Sequence, residues 1–371
     1  MKKILCVSAV NLVNGGPLTI LQNCLEALSK YALENEIEVY ALVHNVNLCY
    51  YPNINYIEIA WAKKTWINRL YCEYFYFKKI SRKINPDIWV SLHDMTPNVV
   101  AKTQIVYCHN ATPFYSPKLV DLRYNYKEYL FSLFYKYLYR INIHKNSFVV
   151  VQQNWLRNAF SDLFNLNKSR IIVAKPTHSI KGLVSNEQYN QDSRTRIFFY
   201  PAFPRTFKNF EVICEASKIL NNMGETRFKV VLTLNGSENK YSRDIFQKYS
   251  RSKNVEFCGL LPQNRVYEMY KLADCLIFPS KLETWGLPIS EFSQCKKPMI
   301  LADLPYAYET AEGVDDVAFF NPVDPYELAH KMKEVIDSKR TSFATVPLID
   351  VLNPTANSWN GLFDILFSSE I

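Results

Sequence analysis

The sequence predicts an α/β protein with two doubly wound, Rossmann-like domains. Short β-rich runs alternate with helix-length segments along almost the whole chain, which is typical of parallel sheets with crossover helices. A polar, aperiodic stretch after Lys175 interrupts this alternation once. The length of 371 residues also exceeds that of one ordinary core. Together these observations favour two domains over one.

Seven β-rich runs precede the interruption and six follow it. The first seven predict strands at 2–8, 37–43, 54–59, 87–92, 104–109, 147–152 and 170–175. The last six predict strands at 196–201, 228–234, 255–259, 275–280, 298–302 and 317–320. Ligands of such sheets bind beyond the carboxyl ends of the strands, so a shared ligand is expected in a cleft where the two domains face each other.

The domain boundaries follow from these runs. We expect a first domain over 1–178, a linker over 179–195, a second domain over 196–350, and a C-terminal helix in 351–371 that packs back on the first domain.

Composition excludes several classes of protein. Hydrophobic residues make up 48% of the chain and charged residues 21%, which excludes a disordered chain. No charge-free apolar run reaches about 18 residues, so we expect a cytoplasmic protein that does not cross a bilayer. The nine cysteines are odd in number and contain no C-x-x-C pair, which indicates reduced core residues and neither disulfides nor a zinc site.

Glycine content and charge distribution narrow the function further. The chain has only nine glycines and no G-x-G-x-x-G or Walker pattern, which disfavours a Rossmann oxidoreductase. Residues 1–145 contain 17 Lys and Arg against 10 Asp and Glu, and the rest of the chain is nearly neutral. Because the second domain is not basic, a nucleic-acid binder is disfavoured as well.

The stretch 275–309 predicts a phosphate site at the start of a helix. A strand is followed by a loop and then by a helix that opens near Pro288, a residue suited to the first turn. We expect the backbone amides of 285–289 to point into the cleft, where N–H groups and the helix dipole favour phosphate. Glu283 and Glu291 flank these amides and can accept hydrogen bonds from sugar hydroxyls. The pattern therefore indicates a nucleotide-sugar site.

This stretch resembles the family 4 retaining glycosyltransferases of the GT-B fold, whose motif is E-x7-E. Here the motif reads ETWGLPISE, from Glu283 to Glu291. Residues 200–216 are similar to the basic K-N segment of the family, and 259–280 to its base-binding turn and following helix. In the first domain the resemblance is limited to an early Gly-Gly turn and His109.

The resemblance implies a role for each matching residue. Glu291 would hold the ribose hydroxyls, Glu283 the hydroxyls of the transferred sugar, and Lys208 the diphosphate. The implied catalytic residues are Glu283, His109 and Lys208. The implied donor-binding residues are Gly16, Arg205, Lys208, Ser280, Trp285, Gly286, Leu287 and Glu291. No D-x-D motif is present to hold a cation, so no metal and no cofactor are expected beyond the nucleoside-diphosphate sugar itself.

Three positions depart from the family pattern. Phe203 occupies the place of the usual arginine, and Arg205 is considered as its substitute. Lys296 stands where the family has a glycine of positive φ, so we expect the helix to end differently. Asn110 follows His109 where aspartate is commoner, which leaves the orientation of the imidazole open.

The resemblance implies a function. The chain would be a glycosyltransferase that moves a sugar, with retention of configuration, from a nucleoside diphosphate to a lipid-linked saccharide in bacterial O-antigen, lipopolysaccharide or capsule assembly. Two alternatives stay open: a nucleotide-sugar epimerase of the same fold, and a non-catalytic subunit of a polysaccharide assembly complex.

Two segments rich in aromatic and basic residues predict contact with an anionic membrane surface. Residues 61–83 contain seven Lys and Arg and one Glu, and they suit either a membrane interface or an ordinary layer helix with a solvated basic face. Residues 115–145 favour a lipid or acceptor surface, because apolar and aromatic side chains recur there at helical spacing. The expected location is the inner face of the plasma membrane, with peripheral attachment.

Overall fold

The computed structural model divides into two α/β units. The described residues are 2–176 and 195–368. Among them, the first unit comprises 2–115, 131–176 and 351–368, and the second comprises 116–130 and 195–350. The predicted linker over 179–195 lies outside the described residues except for Thr195.

The described residues form fourteen strands. They are β1 (Ile4–Ala9), β2 (Glu38–Val43), β3 (Asn55–Glu58), β4 (Ile88–Ser91), β5 (Thr103–Cys108), β6 (Phe148–Val151), β7 (Ile171–Ala174), β8 (Arg196–Tyr200), β9 (Phe228–Leu232), β10 (Val255–Phe257), β11 (Cys275–Phe278), β12 (Met299–Ala302), β13 (Val317–Phe320) and β14 (Thr355–Ala356). The first thirteen match the strands predicted from the sequence. The fourteenth was not predicted, because two residues carry no periodicity.

The described part of the chain also contains thirteen α-helices. They are α1 (Gly15–Glu34), α2 (Trp66–Tyr71), α3 (Phe77–Ile84), α4 (Leu119–Tyr124), α5 (Tyr126–Arg140), α6 (Asn154–Phe164), α7 (Phe210–Asn222), α8 (Lys240–Tyr249), α9 (Gln263–Leu272), α10 (Leu287–Phe292), α11 (Pro305–Thr310), α12 (Pro325–Ile336) and α13 (Trp359–Ser368). A π-helical turn, Cys72–Tyr76, joins α2 to α3.

The first unit has one parallel sheet in the order β14-β7-β6-β5-β4-β1-β2-β3. Every residue of β4 and β5 is buried, as expected for central strands of a parallel sheet that is covered on both faces. Helix α13 packs on α1, where the rings of Tyr31 and Phe363 lie 5.3 Å apart and the Tyr31 hydroxyl donates to Asp364 at 2.8 Å. The carboxyl-terminal helix therefore belongs to the core of the first unit.

The second unit has a smaller parallel sheet in the order β10-β9-β8-β11-β12-β13. In each sheet the strand order reverses at one point, between β1 and β4 in the first and between β8 and β11 in the second. Such reversals leave a crevice at the carboxyl ends of the two strands, where doubly wound sheets bind ligands. The prediction of an α/β protein with two parallel sheets is confirmed.

The expectation that the helix before β12 ends differently is wrong. Lys296 takes the left-handed conformation, with φ of 52° and ψ of 44°, and its amide donates to the Ser293 carbonyl at 3.0 Å. The chain thus ends the helix as a glycine would, at a cost of about 1 kcal/mol for placing a Cβ there. Buried neighbours on both sides, Cys295 and Met299, fix the backbone and override the local preference.

Candidate active site

The loop that follows β8 holds Lys208 at the crevice of the second sheet. It contains a 3₁₀ turn, Thr206–Lys208, and then Asn209 in the left-handed conformation, with φ of 60°. The Asn209 side chain is buried and donates to the carbonyls of Pro279, at 3.2 Å, and Pro322, at 2.7 Å. The Tyr200 hydroxyl donates to the Lys208 carbonyl at 2.9 Å. These bonds fix the backbone from which the lysine extends.

Lys208 forms an ion pair with Glu283, which lies in the loop after β11. The two side chains are 18% and 14% exposed, so the pair is largely removed from water but reachable from the crevice. The Lys208 ammonium also lies 5.7 Å from the ring centres of both Phe207 and Phe278. Two site residues that the sequence predicted separately are therefore in contact at the reversal point of the second sheet.

Ser280 supports this loop from inside. Its side chain is fully buried, and its hydroxyl donates to the Leu282 carbonyl at 3.1 Å. Its own carbonyl accepts from the Tyr306 hydroxyl at 2.7 Å. The Ser280 hydroxyl is thus bonded within the loop and its side chain is buried, and the contact of Ser280 with the donor stays a prediction.

The start of α10 presents fewer amides than the sequence suggested. Of 285–289, Pro288 has no N–H group, and the Ile289 amide donates to the Gly286 carbonyl at 2.9 Å. The amides of Trp285, Gly286 and Leu287 have no protein acceptor within the described part of the chain. These three N–H groups are available to an oxyanion.

Gly286 allows the backbone conformation of this turn. Its φ of 85° is a conformation that side chains rarely adopt, and an added Cβ would lie 3.3 Å from the Ile289 side chain. The neighbouring Trp285 ring is buried, and its indole N–H donates to Ser290 at 3.2 Å. Trp285 therefore offers its backbone, and not its ring, to a ligand.

Glu291 is oriented by a tyrosine that sequence reasoning missed. The buried Tyr270, on α9, donates its hydroxyl to Glu291 Oε2 at 2.8 Å. Burial raises the pKa of the Glu291 carboxyl, and the Tyr270 bond opposes that shift. The other carboxylate oxygen has no partner among the described residues and is open to a hydroxyl of a ligand.

Arg205 lies on the exposed side of the same loop. Its guanidinium is 6.0 Å from the ring centre of Phe203 and 5.9 Å from that of Phe207. Phe203 itself is 49% exposed, so the position of the usual arginine is open to solvent. Arg205 and Phe203 are therefore neighbours at the rim, in keeping with a substitution of one for the other.

In the first unit, His109 is oriented by Asp94. The Asp94 Oδ2 atom lies 3.4 Å from His109 Nε2, and Oδ1 accepts the His109 amide at 2.8 Å. Tyr139 donates its hydroxyl to the same Oδ1 at 2.8 Å. Asp94 lies in the loop after the neighbouring strand β4, so the imidazole is oriented from that loop and not from position 110.

Gly16 lies in the exposed first turn of α1. The positive φ of this turn belongs to Gly15, at 61°, and a Cβ on Gly16 would meet no atom within 4 Å. The space around Gly16 is therefore open in the first unit.

Comparison with known proteins identifies the second unit. Residues 184–345 match the model of the family described as Glycosyl transferases group 1, a range that includes Lys208, Glu283 and Glu291. This stretch is therefore similar to a group 1 glycosyltransferase domain. The predictions of a glycosyltransferase and of a transferase enzyme are confirmed at the level of this domain.

One curated protein and several solved structures are similar to this chain. The chain is 24% identical over 139 residues to the O-antigen chain mannosyltransferase B of Escherichia coli, a match that spans 37% of this chain and 36% of the relative. The fold resembles the apo form of the lipopolysaccharide outer core galactosyltransferase WaaB, with a TM-score of 0.64, 12% identity and 99% of each chain covered. It also resembles HepE of Anabaena in complex with UDP and glucose, with a TM-score of 0.58, 13% identity and 92% of each chain covered.

These neighbours confirm the GT-B fold. Within the glycosyltransferase domain, the structure brings Lys208 and Glu283 into contact and places Glu291 on the helix that follows the same loop. Sequence reasoning missed Tyr270 and Asp94, whose contacts depend on long-range packing.

Across the described helices, no segment combines the length and apolar character needed to cross a membrane.

Proposed function

We propose that the chain transfers a sugar, with retention of configuration, from a nucleoside diphosphate to a lipid-linked saccharide in bacterial surface polysaccharide assembly. The observation that carries the proposal is the Lys208–Glu283 pair at the reversal point of a glycosyltransferase domain, with Glu291 on the helix that follows. The relatives support it, since one is an O-antigen mannosyltransferase and one neighbour holds UDP and glucose.

In this proposal each group meets a different part of the donor. The open oxygen of Glu291 accepts from the ribose hydroxyls, and Glu283 accepts from hydroxyls of the sugar. The Lys208 ammonium moves from Glu283 to the diphosphate, which is also met by the three N–H groups at the start of α10. Arg205 is exposed beside this loop and adds positive charge at the rim.

The proposed reaction needs no side-chain nucleophile. The acceptor hydroxyl oxygen forms a bond to the anomeric carbon, the bond from that carbon to the phosphate oxygen breaks, and the hydroxyl proton passes to an oxygen of the leaving diphosphate on the same face. Lys208 and the amides stabilise the charge that develops on this leaving group, so no metal or cofactor is included. His109, held by Asp94, is proposed to contact the donor sugar.

The proposed acceptor is lipid-linked, and α5 supports membrane contact. Tyr126, Leu130, Phe134, Tyr137 and Ile141 follow one another at three- and four-residue spacing and are 43–58% exposed. Such a stripe of exposed apolar side chains is typical of helices that lie in a membrane interface, where apolar side chains enter the headgroup boundary.

A second surface, on α2 and the π-helical turn, also exposes apolar and aromatic side chains. Trp66, Ile67, Tyr71 and Phe75 are each more than 50% exposed, and Phe75 adjoins a cluster of basic side chains on α3. Anionic lipid attracts such lysines and arginines by about 1 kcal/mol each. We therefore propose peripheral attachment to the inner face of the plasma membrane through both surfaces.

The proposed function is tested in two steps, which first identify the donor and then measure transfer. A panel of UDP-, GDP- and dTDP-sugars is screened by thermal shift, because a ligand that binds only the folded chain raises its melting temperature. The stabilising sugar is then incubated with lipid extract, and release of nucleoside diphosphate is measured with and without extract. Acceptor-dependent release supports the proposal. An epimerase would instead convert the sugar without releasing the diphosphate, and a non-catalytic subunit would release nothing.

A further inference from the structure

A cavity of about 290 Å³ lies within the first unit, lined by residues of that unit alone. Its lining includes Asn11, which follows β1, and His93, which follows β4. These two strands are the pair at which the order of the first sheet reverses. The cavity therefore occupies the place where a doubly wound sheet binds a ligand, and the donor site uses none of its residues.

Arg69 lines this cavity and has a donor group without an acceptor. Its side chain is 7% exposed, and its Nε lies 2.7 Å from Glu73 Oε1. Its Nη1 is buried and has no hydrogen-bond partner in the described part of the chain. A buried N–H group without an acceptor costs about 1 to 3 kcal/mol, so the arrangement points to an acceptor supplied from outside.

His93, which also lines the cavity, contains a second atom without a partner. The ring is 1% exposed, and its Nδ1 lies 3.2 Å from Glu73 Oε1 and 3.3 Å from the Ser91 hydroxyl. Its Nε2 is buried and has no partner among the described residues. The roles of the two ring nitrogens depend on the tautomer. In the tautomer with the proton on Nε2, Nδ1 accepts from a protonated Glu73, whose pKa burial raises to about 7.

The remaining charges that line the cavity are positive. Lys63 and Lys64 are exposed lining residues, and Trp66 beside them is 56% exposed. Glu73, the carboxylate nearest to Arg69, contacts it but does not line the cavity. A fork of guanidinium donors, an imidazole N–H and two ammonium groups match the oxygens of a phosphate.

We propose that this cavity binds a phosphate group of the acceptor. Arg69 and His93 donate to its oxygens from inside, and Lys63 and Lys64 attract it at the mouth. This assignment rests on the proposed function, because it takes the phosphate to belong to the acceptor of that transfer. A lipid diphosphate headgroup and a free phosphate ester offer the same oxygens, and the experiment separates them.

The test measures anion binding by the full chain in the Lys208→Ala background, where the donor site has lost its ammonium. Titration calorimetry with inorganic pyrophosphate, and separately with a short-chain prenyl diphosphate, should show one binding site. Arg69→Gln should weaken that site by about tenfold or more, as expected for a lost charged hydrogen bond. Arg251→Gln is the matched control, since it removes the same charge from an exposed position just after α8, and it should change the affinity by less than about twofold.

A second variant is needed because Arg69 is buried and its replacement could impair folding. Lys63 and Lys64 are exposed, so changing both to glutamine leaves the core intact and should still weaken binding by about threefold or more. Tighter binding of the prenyl diphosphate supports a lipid headgroup, and equal binding supports a phosphate ester. No binding in the Lys208→Ala chain, or binding unaffected by both sets of changes, would overturn the proposal. Nucleoside diphosphate binding to the unchanged chain is measured in parallel, so failure of the donor site is seen separately.

Discussion

Replacing Lys208 by alanine tests how the donor site stabilises the leaving diphosphate. In the proposed reaction the leaving diphosphate gains negative charge, and the lysine ammonium meets that charge in a site largely shielded from water. Loss of one such donor costs about 2 to 4 kcal/mol in the barrier, which corresponds to a fall of about 30- to 900-fold in turnover.

The same change has a smaller effect on folding. The Lys208–Glu283 pair is between 14% and 18% exposed, so its loss should lower the free energy of unfolding by about 1 to 3 kcal/mol, between the values for exposed and fully buried pairs. Lys208→Met keeps the stem that packs near Phe207 and Phe278 and removes only the charge. It should lose as much turnover as the alanine variant.

The assay is release of nucleoside diphosphate at saturating donor, with folding followed by chemical denaturation. Lys229→Ala serves as the matched control, because it breaks a Lys–Glu pair with Glu256 in the same unit whose members are 47% and 46% exposed. That control should keep full turnover and lose less than about 1 kcal/mol of stability. Turnover of Lys208→Met within about threefold of the unchanged chain would refute the reasoning.

Three further predictions follow from the proposed function. Turnover should be nearly unchanged by EDTA, and a strict requirement for Mg²⁺ or Mn²⁺ would contradict a leaving group stabilised by the protein alone. The chain should sediment with anionic vesicles at low salt and be released near 0.15 M salt. Changing Lys127, Lys136 and Arg140 to glutamate should reduce sedimentation sharply without affecting nucleotide binding, and sedimentation equal to that of the unchanged chain would remove α5 from the membrane surface. Asp94→Asn should lower turnover about tenfold by releasing the His109 ring while nucleoside diphosphate affinity stays the same, a split that titration and turnover assays together can detect.

The strands were predictable because each carries its own local pattern. Runs such as IWVS in β4 are apolar on both faces, and helix-length segments separate them, so alternation alone gives a parallel sheet. The motif from Glu283 to Glu291 was equally readable, since strand, loop and helix are consecutive in the sequence. Local order therefore determines both the elements and this part of the site.

The contacts that orient the site were not predictable in the same way. Lys208 and Glu283 are 75 residues apart, and they meet only because β8 and β11 are neighbours in the sheet. Asp94 reaches His109 because β4 lies beside β5. Strand order is a property of the whole chain, so one sequence without a topology cannot give these pairs.

At Lys296 a local preference gave the wrong prediction for the end of the helix. Its residue type argues against positive φ, yet packing of the flanking apolar residues determines the backbone there. A residue's propensity is a matter of about 1 kcal/mol, and burial of neighbouring side chains outweighs it.

The central claim, that the second unit binds a nucleoside diphosphate with Glu291 on the ribose, is tested most directly by calorimetric titration with UDP, GDP and dTDP. At least one should bind the unchanged chain, and Glu291→Ala should weaken that affinity by about tenfold or more, because a charged hydrogen bond is lost in the ground state. Glu268→Ala, which removes an exposed carboxylate paired with Arg265 on α9, should leave the affinity unchanged. Equal affinity of the unchanged chain and Glu291→Ala for the nucleotide would contradict the assignment.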